Sequence, residues 1–265
     1  MKASWTFPSA IVSALLIVPA MAADLPTKAP ILKAPPPLVY NWTGCYLGGG
    51  GGYGMLDQEH DTRTLTGVLT DPTMDTGGRG WFGTVQGGCD LQFNSFLPIF
   101  GGSMIIGAFA DGDWGNINGN NEPAGIGING TEKLSRSWAF GGRLGWLPTD
   151  RFLTFVSVGY TNARVDDINY VVNLTSGPVV AQLPGHNMDG WFIGTGYEYN
   201  LGWLPGLTWK TEYRYADYGS RTDTIFGVPS GLPSFTSNSH LFVQTVRSEL
   251  VWRFNWGGGS VMSRY

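Results

Sequence analysis

Three stretches of this chain alternate with a period of two, and in each the bulky apolar side chains share one face. In Trp191, Ile193, Thr195, Tyr197, Tyr199 and Leu201 nearly every second residue is large and apolar or aromatic, against Phe192, Gly194, Gly196, Glu198 and Asn200. Leu250, Trp252, Phe254 and Trp256 alternate with Glu249, Val251, Arg253 and Asn255, and Trp138, Phe140, Leu144 and Trp146 with Ser137, Ala139, Gly141, Arg143 and Gly145. Period two marks β-strands. In a soluble sandwich the bulky face would be the buried one. Here the opposite face carries the glycines and charges, which suits a closed barrel that turns its large apolar residues outward to lipid. The segment Phe152 to Tyr160 is apolar on both faces and does not discriminate.

Composition agrees. Charged residues make up 14% of the chain and aromatics another 14%, with 40 glycines in 265 residues. Soluble domains carry roughly 25% charged residues and about 7% glycine. Disordered chains lack aromatics. The net charge of −4 and the absence of a Lys/Arg cluster exclude a nucleic-acid surface. Cys45 and Cys89 are the only cysteines, so no zinc-type array is present, and neither a cofactor nor a metal is expected.

Residues 1–22 read as a secretory signal: Met1-Lys2 begins it, an almost wholly apolar run spans Phe7 to Met21, and Ala20-Met21-Ala22 is a small-residue cleavage pattern. No other apolar run approaches the ~18 residues of a membrane helix. An exported chain that lives in a membrane without such a helix must be a closed barrel. Residues 23–40 contain Pro26, Pro30, Pro35, Pro36 and Pro37 and read as an extended periplasmic linker. Its Lys28 and Lys33 are placed to touch the cell wall, or else are simply solvated.

A weak repeat counts the strands. Phe96-Leu97-Pro98, Trp146-Leu147-Pro148 and Trp203-Leu204-Pro205 fall between strand-like stretches, and the long polar segments 57–78, 115–133, 166–187 and 219–240 separate them. Three short turns and four long outer segments predict an all-β, closed antiparallel transmembrane barrel of about eight strands over residues 41–256, with a tail at 257–265.

Several motifs also resemble a family. Asn41-Trp42-Thr43-Gly44-Cys45-Tyr46-Leu47-Gly48-Gly49, Gln86-Gly87-Gly88-Cys89-Asp90-Leu91-Gln92, and the closing Thr245-Val246-Arg247 and Arg253-Phe254-Asn255-Trp256 are similar to those of the small outer-membrane β-barrel proteins of alphaproteobacteria. These have an OmpA/OmpX-like fold and are often labelled porin-family; a bulky residue is usual where Cys45 stands. The resemblance implies an outer-membrane location, contact with membrane lipid and lipopolysaccharide, insertion by the barrel assembly machinery, and a role in envelope integrity or surface interaction. It implies little about activity.

Chemistry is sparse. His60, His186 and His240 all fall in the polar outer segments, with Asp189 near the second and Ser237 and Ser239 near the third. They read as solvated loop residues, so no catalytic residue is assigned and the chain is not expected to be an enzyme. Asp57, Glu59, Asp61, Asp71 and Asp75 make the first outer segment acidic without calcium-loop spacing. The glycine run 48–52 lacks the Lys-Ser/Thr ending of a phosphate loop and reads as a strand with few inner side chains.

Two constellations remain. Cys45 and Cys89 fall at matching positions of the first hairpin, on the outward face; they form either a cross-strand disulfide, which export favours, or two free lipid-facing thiols. Arg143, Glu198, Lys210, Glu212, Arg214, Arg247, Glu249 and Arg253 fall on inner faces by alternation, since an Arg or Lys facing the bilayer midplane costs about 2–4 kcal/mol. Paired, they plug the lumen; separated by water, they line a narrow polar channel. Three functions follow: a structural and surface barrel without catalysis, favoured because about eight strands leave an interior that side chains fill; a narrow passive pore; or an outer-membrane lipid- or peptide-modifying enzyme.

Overall fold

The computed structural model describes residues 40–95, 102–122, 127–172 and 177–254. The signal, most of the linker, the Phe96-Leu97-Pro98 repeat, Asn255, Trp256 and the tail lie outside these. Ten strands appear: β1 (Gly44–Thr64), β2 (Leu69–Asn94), β3 (Ser103–Asn121), β4 (Ile128–Thr149), β5 (Phe152–Val165), β6 (Ile168–Val172), β7 (Val179–Leu183), β8 (His186–Asn200), β9 (Leu207–Gly227) and β10 (Pro233–Phe254). Eight close a ring of antiparallel pairs in the order β1-β2-β3-β4-β5-β8-β9-β10, with β10 pairing back onto β1. The short β6–β7 hairpin continues β5 and β8 upward and bridges β4 to β9. No edge is left in this ring, so its ladder satisfies the backbone within the wall.

The alternation decides which way each strand faces. Leu47, Val85, Ile106, Leu144, Val156, Ile193, Val246 and Leu250 stand exposed on the outer wall. Above them runs an aromatic girdle with one ring from each strand of the wall: Tyr53, Trp81, Trp114, Trp138, Tyr160, Trp191, Tyr215 and Phe242, several in direct ring contact. Tyr197, Tyr199, Trp209, Trp252 and Phe254 are exposed at the lower border. About nine to eleven tilted residues separate such girdles in a membrane barrel, which matches the spacing from Trp138 to Trp146 and from Phe242 to Trp252.

The polar outer segments lie beyond the girdle, and the first and last of them are largely regular strand. Asp57–Thr64 and Leu69–Gly78 are the upper halves of β1 and β2, and the turn proper is only Leu65–Val68. Residues 219–227 and 233–240 likewise belong to β9 and β10. The wall therefore continues roughly 20 Å above the girdle, taking nine residues of β10 at ~3.3 Å each with the usual tilt. Polar side chains outside the membrane need no apolar face, so composition alone does not tell a solvated strand from a loop. The three histidines sit on strands accordingly, and His60 is buried inside the barrel, not solvated. At the lower end, β4 runs through Trp146-Leu147-Pro148 to Thr149 and turns at Asp150–Arg151, with a register shift where Pro148 cannot donate. Trp203-Leu204-Pro205 lies in the β8–β9 turn.

Candidate functional site: a filled and charged lumen

The N-terminal residues close the bottom. Trp42 is fully buried among Ile105, Leu147, Leu153 and Phe155, with Tyr40 packed against it. Its backbone N–H donates to Gln92 Oε1 (2.8 Å) and its indole N–H to the Asp150 carbonyl (3.1 Å). Tyr40, the last residue of the expected linker, thus belongs to the barrel's base.

Above this seal lie three tiers of charge. In the lowest, Arg253 donates to both Glu198 oxygens (2.8 and 2.9 Å) and to Asp90 (2.6 Å), while Arg143 pairs with Asp90 and reaches Glu198 at 3.3 Å. Thr208 completes the Glu198 shell with a 2.5 Å hydrogen bond. In the middle tier Lys210 sits 2.8 Å from Glu212 and 3.4 Å from Glu249, and Gln86 joins it by accepting from Lys210 and donating to Glu249. In the highest, Arg214 pairs with Asp111 (2.9 Å) and Glu212 (3.2 Å), and Arg247 with Asp111 (3.1 Å) and Asp113 (3.0 Å).

All eight residues that alternation assigns to the lumen are there, each at most 4% exposed. Their partners differ from a simple neighbour scheme. Glu198 joins Arg143 and Arg253, and Glu212 joins Lys210 and Arg214, but Arg247 finds no glutamate and binds two aspartates of β3 instead. Asp90, Asp111 and Asp113 were not among the sequence candidates. Their signal was present: Phe109, Asp111 and Asp113 alternate with Ala110, Gly112 and Trp114, placing two carboxylates on one face. What was missing was the closure that carries β2 and β3 to the same lumen height as β9 and β10.

Aromatic rings fill the space between tiers. The Arg143 guanidinium lies 4.6 Å from the Tyr46 ring centre, Arg253 4.8 Å from Trp42, and Arg214 4.2 Å from Phe192, contacts that stabilise desolvated cations. Above the charges, Leu56, Phe82, Ile117, Leu134, Val165, Met188 and Val243 form an apolar layer. Between the two layers a cavity with room for a water or two is lined by Asp113, Ser137, Thr161, Tyr218, Thr245 and Arg247.

A second buried polar group lies above the apolar layer, outside the membrane. Gln58, Asn121 and Tyr170 are linked by hydrogen bonds, and Glu132 stands beside them, 2% exposed. Burial pushes the Glu132 carboxyl up to about 7, against a hydrogen bond from Asn121 that lowers it. The folded form therefore holds a proton that the unfolded chain, titrating near 4.5, releases. Stability should fall as pH rises from about 4.5 to 7 and then level off, a loss on the order of 3 kcal/mol. Guanidinium unfolding in detergent should show a lower midpoint at pH 8 than at pH 5, with Glu132→Gln flattening that difference; an unchanged pH slope in the variant refutes the assignment.

Of the remaining candidates, the cysteines, His240 and the acidic residues of β1 fall on the outer wall, whereas His186, directly opposite the buried Val165, and the buried Ser237 and Ser239 are on the inner face. Cys45 and Cys89 are directly opposed in the β1–β2 register and joined by a disulfide, with Cα atoms 3.9 Å apart. His240 contacts neither Ser237 nor Ser239 through the hydrogen bonds of its ring; Nε2 meets Asp217 at 2.8 Å and Nδ1 meets Ser220 at 3.3 Å. This relay spans a β-bulge, and the neighbouring Gly219 N–H is already donated to Asp217. His186 lies 3.5 Å from Asp223, not Asp189; burial, opposed by Asp223, lowers its pKa. Asp57, Glu59 and Asp61 line the outer face of β1, with Asp75 opposite Glu59. Among the described residues no group of three or more such side chains is arranged to hold a metal ion.

The fold and its interior define a transmembrane β-barrel of eight wall strands whose lumen is occupied by its own side chains. No family model matches the chain, and no curated protein matches it. Among solved structures it is similar to the outer membrane protein OprG from Pseudomonas aeruginosa, at 13% identity over 82% of this chain and all of that one, with a TM-score of 0.50. It also aligns with outer membrane protein AlkL (14% identity, 90% of this chain and 100% of that, TM-score 0.40) and Neisserial surface protein A (10% identity, 78% and 99%, TM-score 0.33). The likeness to OprG is one of fold.

Proposed function

We propose that this protein is a structural barrel of the bacterial outer membrane, exported by a cleaved signal, that contributes to envelope integrity and surface contact without conducting solutes. The observation that supports the reading best is the lumen itself. From Trp42 through Arg253, Lys210 and Arg247 to the Leu56–Phe82 layer, buried side chains fill the lumen apart from the small cavity beneath the apolar layer, and the charged ones are paired with one another. Ion pairs of this kind do not part easily, because separating them leaves uncompensated buried charge. The tall wall above the girdle supplies the surface for outside contact.

Conductance of the refolded protein in planar bilayers tests the reading. The expected result is an absence of stable single-channel currents, with no gain on replacing Glu212 by Gln. Steady currents that change with Arg214→Gln or Glu212→Gln would establish instead that the network lines a pore.

A further inference from the structure

The outer wall just above the girdle is electrically uneven. Asp57, Glu59 and Asp61 face outward from β1, whereas Lys133, Arg136 and Arg164 face outward from β4 and β5. Arg136 and Arg164 are directly opposed in the β4–β5 register. Side chains so placed have Cβ atoms about 5 Å apart, and like charges there are destabilising. Neither arginine makes a salt bridge among the described residues, although carboxylates lie near. Asp166 is held by Lys133 (3.8 Å) and Ser135 (2.6 Å), Asp167 by the Gly185 N–H (2.6 Å), and Asp189 by Asn162 (2.7 Å) and Tyr160. The fold thus sets two outward arginines at opposed positions of neighbouring strands, with the Arg164 guanidinium reaching up toward Gly185 and no acid closing a salt bridge to either among the described residues.

Their height is informative. Arg136 stands two residues above Trp138 on the same face, beside Trp114 of β3, and Arg164 stands four above Tyr160. Aromatic girdles mark the membrane–water border, so the pair lies where lipid headgroups begin. A planar guanidinium suits a phosphate, which it can bind with two parallel hydrogen bonds, and two long flexible arginines on opposed positions can swing to reach one phosphate together. A dianionic phosphate monoester removes the repulsion between the two arginines; a zwitterionic headgroup removes less.

We propose that Arg136 and Arg164, flanked by Lys133, bind the phosphate monoester of a lipid headgroup in the leaflet at the upper girdle. The site rests on the outer-membrane placement proposed above but not on whether the lumen conducts. An acyl chain of that lipid would descend over Trp138, Phe140 and Val158, which are exposed below the pair.

Native mass spectrometry of the full barrel, released from detergent with bisphosphorylated lipid A as the probe, tests the proposal. The wild-type protein should retain one lipid, the dephosphorylated lipid should bind at least tenfold more weakly, and Arg136→Gln/Arg164→Gln should reduce retention of the phosphorylated form by a similar factor. Retained gel mobility of the folded form shows that the double variant is intact, and Asp57→Asn serves as a control on the acidic side with unchanged binding. Inorganic phosphate at equal concentration should not displace the lipid. Undiminished binding in the double variant, equal binding of the dephosphorylated lipid, or displacement by inorganic phosphate overturns the proposal. Any of these would leave the conductance result untouched, so the two readings fail separately.

Discussion

Replacing Glu198 with alanine should destabilise the barrel by about 3–5 kcal/mol, because it leaves two buried arginines with one aspartate between them. Glu198 is fully buried, accepts from both Arg143 and Arg253, and is the only carboxylate besides Asp90 in that tier among the described residues. The arginines have no retreat, since Trp42 closes the route below them and Lys210 stands above. Guanidinium unfolding in detergent micelles, followed by tryptophan fluorescence, reads the loss as a lowered midpoint. The double variant Glu198→Met/Arg253→Met should be closer to wild type than Glu198→Ala, because it removes charge in balance and substitutes side chains that pack. If the single variant unfolds at the wild-type midpoint, the lowest tier holds water and the plugged reading of the lumen fails with it.

A comparable loss is expected from a single added methyl group on β1. Gly48, Gly50, Gly52 and Gly54 occupy its inner register between Tyr46 and Leu56. A Cβ at Gly50 would collide with the Ser248 carbonyl oxygen and lie 2.7 Å from the Glu249 Cα, both backbone atoms of β10 that cannot swing aside. At Gly54 the collision is with the terminal methyl group of Ile117, the end of a flexible side chain. Gly50→Ala should therefore cost about 3 kcal/mol or more and lower the yield of refolded barrel, while Gly54→Ala should cost about 1 kcal/mol. Ile117→Val removes the offending methyl group and should restore Gly54→Ala but not Gly50→Ala. Equal losses for the two alanines, or rescue of both by Ile117→Val, would show that these glycines serve chain flexibility and not close approach. The same contacts account for the inward glycines of β1: the room beside Gly48, Gly52 and Gly54 is taken by the side chains of Val251, Gln86, Phe82 and Ile117, and that beside Gly50 by the backbone of β10.

The pattern of alternation in β4, β8 and β10 was enough to fix that the chain is all β, which way each strand faces and hence that Arg143, Glu198, Lys210 and their fellows belong inside, because period two and the penalty for charge in lipid are local properties of each strand. It was also enough to place Cys45 opposite Cys89, since a hairpin register depends only on where its turn lies. Three things were decided only in the tertiary structure. The first and last polar outer segments became strand because hydrogen bonding around a closed ring continues above the membrane, where nothing in side-chain polarity records it. The partners of the lumen cations came from Asp90, Asp111 and Asp113 because closure brings strands distant in sequence to one height. Glu132 became an acid with a raised pKa, and Arg136 and Arg164 an opposed pair, because burial and cross-strand register are sums over neighbours that no single segment of the chain contains.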